Sequence, residues 1–311
     1  MVHTIQLKRS CSLIKDLTRI NNFISLGFLK KFSTPNPYKI LIKQNSLVIS
    51  NFLRATHESK QMKKDLSDKS RFQGLKIAIT GASGSLGKSL IEELKRNGAY
   101  VVGLTHSKNN NNNSCGITPD DFIFWSCGEE KLLSSKLTDI DILILNHGFN
   151  QKEIIDSNEI NKAIEINALS HWRLIQIFEE LAPKNKNINK YNSKEIWINT
   201  SEAEIQIAFS PAYEITKRLI GEIISLKKSK LLIEKNNSLI IKKLILGPFK
   251  SKLNPAGILS PEFVAKQIIK KAEKKDYLII VTPNPITYLL MPIIEFIRII
   301  YSMLIMKIYS R

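Results

Sequence analysis

The stretch TGASGSLGK, Thr80 to Lys88, constrains this chain more than any other. It comes after a short β-branched run, LKIAIT, and opens a stretch of helical spacing, SLGKSLIEELKRNG, that stops at Gly98. A glycine-rich turn between a first strand and a first helix is where a doubly wound sheet binds a dinucleotide pyrophosphate. Gly81 permits the tight turn. Ser83, Gly84 and Ser85, with Leu86 beside them, let phosphates approach backbone N–H groups. Gly87 lets the helix pack close to the sheet, and the helix N-terminus favours the anion.

Downstream the pattern stays regular. YVVGLT, DFIFW, DILILN, KEIWINT, SLIIKKLIL and YLIIV read as six further strands, separated by helical stretches such as NEINKAIEINALSHWRLIQIFEELAP and SPEFVAKQIIKKAEKK. Strands alternating with helices predict an α/β fold, a doubly wound parallel sheet of about seven strands with helices on both faces. The chain divides into three segments: a basic N-terminal extension over 1–73, a nucleotide-binding domain over 74–284, and an apolar C-terminal helix over 285–311.

The chain carries a net charge of +18, and residues 1–57 hold nine Lys/Arg against the single acid Asp16. Such a segment suits a transit peptide, a basic stretch lying on a membrane, or a poorly ordered extension. The chain thus reads as cytoplasmic or peripheral to a membrane, with organelle import open. There is no zinc-finger spacing and no aromatic RNP-like run, so nucleic acid is not an expected partner. Three cysteines without a CxxC pair fit a reducing compartment. Five histidines show no ligand spacing, so no metal site is expected. In the tail, Glu295, Arg298 and Ser302 fall on one thin polar stripe of a greasy helix. Two charges at a bilayer centre would each cost roughly 2.5–3.5 kcal/mol, so the expectation is a helix lying in the interface, charges toward water and Ile/Leu/Met toward lipid. A helix packed on the sheet or in a dimer contact is the alternative.

The stretch SPAYEITKR places Ser210 as N-cap and Pro211 at the first helical position. Tyr213 and Lys217 then share a helix face with β-carbons about 5–6 Å apart. An ammonium there, helped by the helix dipole, would lower the phenol pKa and make Tyr213 a proton-exchanging group near neutral pH. At the end of the second strand, LTHSK has no acid to hold a ribose diol. Thr105, Ser107 and Lys108 could instead accommodate a 2′-phosphate, which favours NADP(H) over NAD(H).

Together these motifs resemble the short-chain dehydrogenase/reductase family from Leu75 to about Val281. TGASGSLG stands for the family's TGxxxGxG turn, with Ser85 in place of a glycine. LNHG, containing Asn146, His147 and Gly148, stands for NNAG. Asn167 in EINALS, Ser201 in NTSEAE, and Tyr213 with Lys217 match the family's catalytic set. LGPFKS keeps Gly247 and has Ser251 where the family prefers threonine. Four other stretches, among them FSPAYEITKR and KKLILGPFKSKLNPAGILS, resemble the dehydrogenase half of cyanobacterial proteins described as bifunctional sterol desaturase/short-chain dehydrogenases; the histidine boxes of the desaturase half are missing.

The resemblance implies that Tyr213 is the general acid or base, that Lys217 tunes it and holds the nicotinamide ribose, and that Ser201 binds the substrate oxygen. Asn167 would position a water linking Lys217 to solvent, or else bridge backbone in the core. Gly247, Pro248, Phe249 and Ser251 would cover the nicotinamide. Glu202 and Glu204, beside Ser201, would select a polar substrate group or simply be solvated, the latter being favoured because Glu is seldom buried. The expected activity is NAD(P)(H)-dependent hydride transfer on a carbonyl or alcohol of an apolar, lipid-like substrate, with homo-oligomerisation open. A silent NAD(P)H-binding sensor or scaffold is the alternative. An epimerase or dehydratase uses the same tyrosine and lysine but ranks lower, because the short span after Lys217 leaves little room for a large substrate domain.

Overall fold

The computed structural model describes residues 70–106, 117–150, 157–183, 193–235, 238–274 and 276–309. Nearly all of the basic extension therefore lies outside the described residues. Its last part does not: Phe72 is fully buried with its ring 5.9 Å from that of Trp197, and Arg71 donates to both carboxylate oxygens of Glu195 (3.1 and 2.7 Å).

Seven strands form one parallel sheet: β1 (Lys76–Thr80), β2 (Tyr100–Thr105), β3 (Asp121–Phe124), β4 (Ile142–Leu145), β5 (Lys194–Ser201), β6 (Leu239–Leu246) and β7 (Leu278–Val281). Their order is β3-β2-β1-β4-β5-β6-β7, the doubly wound arrangement expected from the sequence. The order reverses between β1 and β4, which opens a crevice above their carboxyl ends.

The helices are α1 (Ser85–Arg96), α2 (Ser157–Ile164), α3 (Ser170–Glu180), α4 (Pro211–Ile233), α5 (Pro261–Ala272) and α6 (Pro285–Tyr309). Side chains alternate across the sheet. Ile77 and Ile79 join Leu90, Leu94, Val264 and Ile268 in one core, under α1 and α5. Ala78, Leu143 and Leu145 join Leu174, Phe178, Ile220 and Ile224 in the other, under α3 and α4. Between α2 and α3 the helix widens into a π-turn, Glu165–Leu169.

Local signals set the helix ends. Ser210 caps α4 through the N–H of Tyr213 (3.4 Å) with Pro211 in the first turn, and Ser260 caps α5 in the same manner (3.2 Å). Gly98 adopts φ +78°, the left-handed stop expected of it.

The C-terminal helix corrects the sequence expectation. Its polar stripe faces the protein, not water: Glu295 and Ser302 are buried and Arg298 nearly so. Lys243, on β6 and wholly buried, pairs with Glu295 and Glu204 (2.8 Å each) and donates to the Gly221 carbonyl (3.1 Å). Arg298 pairs with Glu204 (2.8 Å) and Glu222 (2.6 Å), while Ser225 donates to Glu295 (3.0 Å). Charges on a buried helix face are tolerated when paired and hydrogen-bonded, and here opposite charges meet from several elements. Met291 is buried against Ile245 and Ile280, while Leu289, Ile293, Phe296, Ile297, Ile300 and Leu304 are left on the outside.

Candidate active site

A cleft of about 750 Å³ lies above the carboxyl ends of the strands. Of the residues singled out from sequence, Gly81, Ser83, Gly84, Ser85, Leu86, Thr105, Asn146, His147, Gly148, Tyr213, Lys217, Gly247, Phe249 and Ser251 line it. Gly87, Pro248, Asn167 and Ser201 do not line the cleft, and Ser107 and Lys108 fall outside the described residues.

The turn is built for close approach. Gly81 has φ +65°, and a Cβ there would stand 3.0 Å from the backbone of His147. A Cβ on Gly87 would be 2.2 Å from the Gly81 carbonyl oxygen, so α1 can begin this close to β1 only with glycine. Ser85 and Leu86, in the first turn of α1, line the cleft, and the first N–H groups of a helix have no intrahelical partners. Lys88, Lys162 and Lys252 also line the cleft and add positive charge. A dinucleotide carries two flat aromatic rings joined by an anionic bridge, and a cleft of this size with a helix N-terminus and cations in its wall fits such a group.

The residues after β4 are held from below. Asn146 and His147 donate their N–H groups to the Thr80 hydroxyl (2.9 and 3.2 Å), and the His147 ring pairs with the same oxygen (2.8 Å) and with Ser170 (3.2 Å). Burial, reinforced by the charge of Lys217, pushes His147 down to about 3, so its imidazole is neutral at physiological pH. Ser170 in turn donates to Glu130, which Arg173 also holds (2.5 Å).

Tyr213 and Lys217 stand one turn apart on α4, with the ammonium 5.5 Å from the phenol ring centroid. The Ser201 hydroxyl accepts from the Ala203 N–H (3.2 Å), and Ser201 acts on the Tyr213 phenol to lower its pKa. Lys217 donates to the Asn199 carbonyl (3.0 Å), and Asn199 donates to the Asn146 side chain (3.0 Å). Burial pushes the Lys217 ammonium down to about 8, against the opposing pull of Glu204.

The phenol departs from expectation. Burial raises the Tyr213 pKa, the Ser201 hydrogen bond lowers it only in part, and the charge of Glu202 raises it further. Asn167 lies in the π-turn between α2 and α3, fully buried. Its amide accepts from Phe149 N–H (2.7 Å) and donates to the Phe149 carbonyl (2.8 Å) and to Thr216 (3.1 Å), so the side chain bridges backbone.

Glu204 corrects the expectation of a solvated side chain; it is 1% exposed and receives Lys243 and Arg298. Glu202 accepts from Thr282 (2.6 Å) and Thr287 (3.3 Å). Sequence reasoning missed His106, Trp125, Ser126 and Cys127 in the cleft wall. Their positions just past the ends of β2 and β3 were the available signal. Burial raises the Cys127 thiol, keeping it protonated.

Comparison with known proteins agrees with this geometry. The model of the NAD dependent epimerase/dehydratase family matches residues 77–219. A monoglucosyldiacylglycerol epimerase from Synechocystis sp. is 41% identical over 239 residues, covering 74% of this chain; the chain spans only 54% of that relative's length. A short-chain dehydrogenase from Burkholderia cenocepacia in complex with NADP superposes with a TM-score of 0.56 at 16% identity, covering 68% of this chain and 89% of that one. A short-chain dehydrogenase from Sphingobium yanoikuyae in complex with NADPH gives 0.53 at 16% identity, covering 66% and 87%. Across the stretch that bears the turn, the tyrosine and the lysine, the chain matches the NAD dependent epimerase/dehydratase family, and its resemblance to the short-chain dehydrogenase/reductase family holds in sequence and in fold.

Proposed function

We infer that this chain is an NAD(P)-dependent oxidoreductase that inverts a secondary alcohol on the sugar of a glycolipid. The pairing of Tyr213 and Lys217 in the cleft wall, one turn apart on α4 and beside the glycine turn, carries this reading. The epimerase reading, ranked lower from sequence for want of a substrate domain, moves to first place on the 41% identity to a glycolipid epimerase. Sugar held in a membrane by its own lipid needs less protein to surround it.

In the forward half-reaction the Tyr213 oxygen takes the proton of the sugar hydroxyl as the C–H bond breaks. A nicotinamide held by Asn146, Gly247, Phe249 and Ser251 would supply the hydride acceptor and donor chemistry, which inverts the carbon when the carbonyl presents its other face. Tyr213 then gives the proton back, so nothing is consumed. Ser201 holds the substrate oxygen by its hydroxyl, and Lys217 places positive charge beneath the phenol. The turn Gly81–Gly87 would hold the pyrophosphate, and Asn146, Gly247, Phe249 and Ser251 the nicotinamide end. NADP(H) is favoured over NAD(H): β2 ends without an acid, and Lys88 and His106 line that part of the wall.

A net dehydrogenase or reductase is the second reading, supported by the fold neighbours. The two separate in one assay. Purified chain with NADP+ and a monohexosyl diacylglycerol should change the sugar's configuration while nicotinamide absorbance stays flat. Stoichiometric NADPH formation without inversion would favour the dehydrogenase. Binding of NADPH no tighter than NADH would reject the cofactor preference.

A further inference from the structure

Helix α6 would pass for a membrane span by composition: its mean hydropathy reaches 2.0 over 18 residues, of which 17% are buried. It cannot span while the domain keeps its fold. Glu295 and Arg298 are tied to Lys243, Glu204 and Glu222, and withdrawing them would strip Lys243 and Glu204 of partners in the interior. The helix is thus fastened along the flank of α4 with its polar stripe used up internally. What it offers outward is a continuous apolar stripe: Leu289, Ile293, Phe296, Ile300 and Leu304 recur at helical spacing and are 40–65% exposed.

The stripe has a neighbour in the loop that precedes α4. The loop before α4 exposes Ile207 (92%) and Phe209 (111%), two large apolar side chains almost free of protein contact. This loop is pinned at both ends. Gln206 donates to Thr287 in the first turn of α6 (2.7 Å) and accepts from Asn284 (2.9 Å), while Ala208 N–H donates to Glu214, the residue after Tyr213 (2.8 Å). The loop thus runs from the start of α6 to the catalytic tyrosine.

We propose that Ile207, Phe209 and the outer stripe of α6 form one lipid-bilayer docking surface, seating the mouth of the active site against the membrane so that a lipid-borne sugar reaches Tyr213 while its acyl chains stay in the bilayer. This deepens the glycolipid reading and rests on it for the substrate. The occupant is a lipid surface rather than a second copy for two reasons. The two outermost side chains belong to the loop that leads into α4 just ahead of Tyr213, and a chain of net charge +18 is attracted to an anionic leaflet.

The full chain and its variants, all with the same N-terminal residues, would be floated with vesicles of phosphatidylcholine containing phosphatidylglycerol. Ile207→Ser/Phe209→Ser and Phe296→Ser/Ile300→Ser should each weaken vesicle binding at least about tenfold, since each removes two large apolar side chains from lipid. A Phe296→Trp variant should be quenched by lipids brominated in their acyl chains. Unchanged flotation in both pairs, or no quenching, overturns the docking surface. So does a vesicle-free dimer that Phe296→Ser/Ile300→Ser dissociates, because the stripe would then face another copy. Lost flotation with inversion of a water-soluble glucoside retained is the result expected of the Ile207/Phe209 pair. Normal flotation without any inversion by the wild-type chain would instead sink the glycolipid reading alone.

Discussion

Replacing Lys243 by methionine would leave the Glu204 and Glu295 carboxylates in the interior without the ammonium that lies 2.8 Å from each. Lys243 is wholly buried and spends its donors on those two groups and on the Gly221 carbonyl, in a place closed to bulk solvent. Removing one partner of a buried ion pair costs about 3–5 kcal/mol. For a domain of this size each kcal/mol moves the melting temperature by roughly 2–4 °C, so Lys243→Met should melt about 6–20 °C below wild type. Adding Glu295→Gln should recover about 1–2 kcal/mol, because Glu204 retains Arg298 and one uncompensated charge is gone. The pH dependence has a definite sign. Burial pushes Glu295 up, but the charge and hydrogen bonds of Lys243, with those of Tyr277 and Ser225, hold its carboxyl below the ordinary 4.5. A carboxyl depressed in the folded state contributes stability above its unfolded pKa and loses it as pH falls through the folded one. The gap between wild type and variant should therefore narrow below about pH 4.5. Thermal denaturation monitored by circular dichroism from neutral pH down to well below the ordinary carboxylate range reads all three quantities. Equal melting temperatures at pH 7, or a gap that widens in acid, would refute the view that these charges are paired and buried.

Tyr213→Phe should cut turnover by about 10²–10⁴-fold, seen in single-turnover kinetics, with NADPH affinity unchanged by calorimetry. Lys217→Met should raise the melting temperature at pH 7. Burial depresses this ammonium to about 8, so keeping it charged costs stability at neutral pH; that cost vanishes above its unfolded value near 10.5, and the variant's advantage should fade as pH climbs through that window. Gly87→Ala would set a Cβ 2.2 Å from the Gly81 carbonyl oxygen and should weaken NADPH binding about tenfold or more, measured by fluorescence titration.

The sheet and its crevice were legible because each signal was local. A β-branched run, a glycine turn and a helical period announced β1 and α1 within one short stretch, and Ser-Pro announced α4 and α5 by their own cap chemistry. The cleft wall past β3 was not legible, since Trp125, Ser126 and Cys127 belong to no pattern and are brought in by pairing of β3 with β2. The orientation of α6 was hidden for a physical reason. A thin charged stripe on a greasy helix looks the same whether its partners are water or buried ions. The missing half of the signal lay upstream, where Lys242 and Lys243 interrupt the apolar strand SLIIKKLIL. A lysine at an inward position of a central strand requires an acid nearby, and Glu204 and Glu295 are the acids for Lys243. The phenol's pKa was also beyond reach, because the desolvation that raises it depends on the whole enclosure and not on the spacing of two residues.

The widened turn Glu165–Leu169 sets the rotational phase of α3. One surplus residue in a helix advances everything beyond it by about 100° around the axis. Ser170, His171 and Arg173 thereby come round to meet His147 and Glu130. Deleting a single residue from this turn would leave α3 helical yet rotated, swinging that polar row off its mates and unlatching the floor of the cleft without altering the polar row itself.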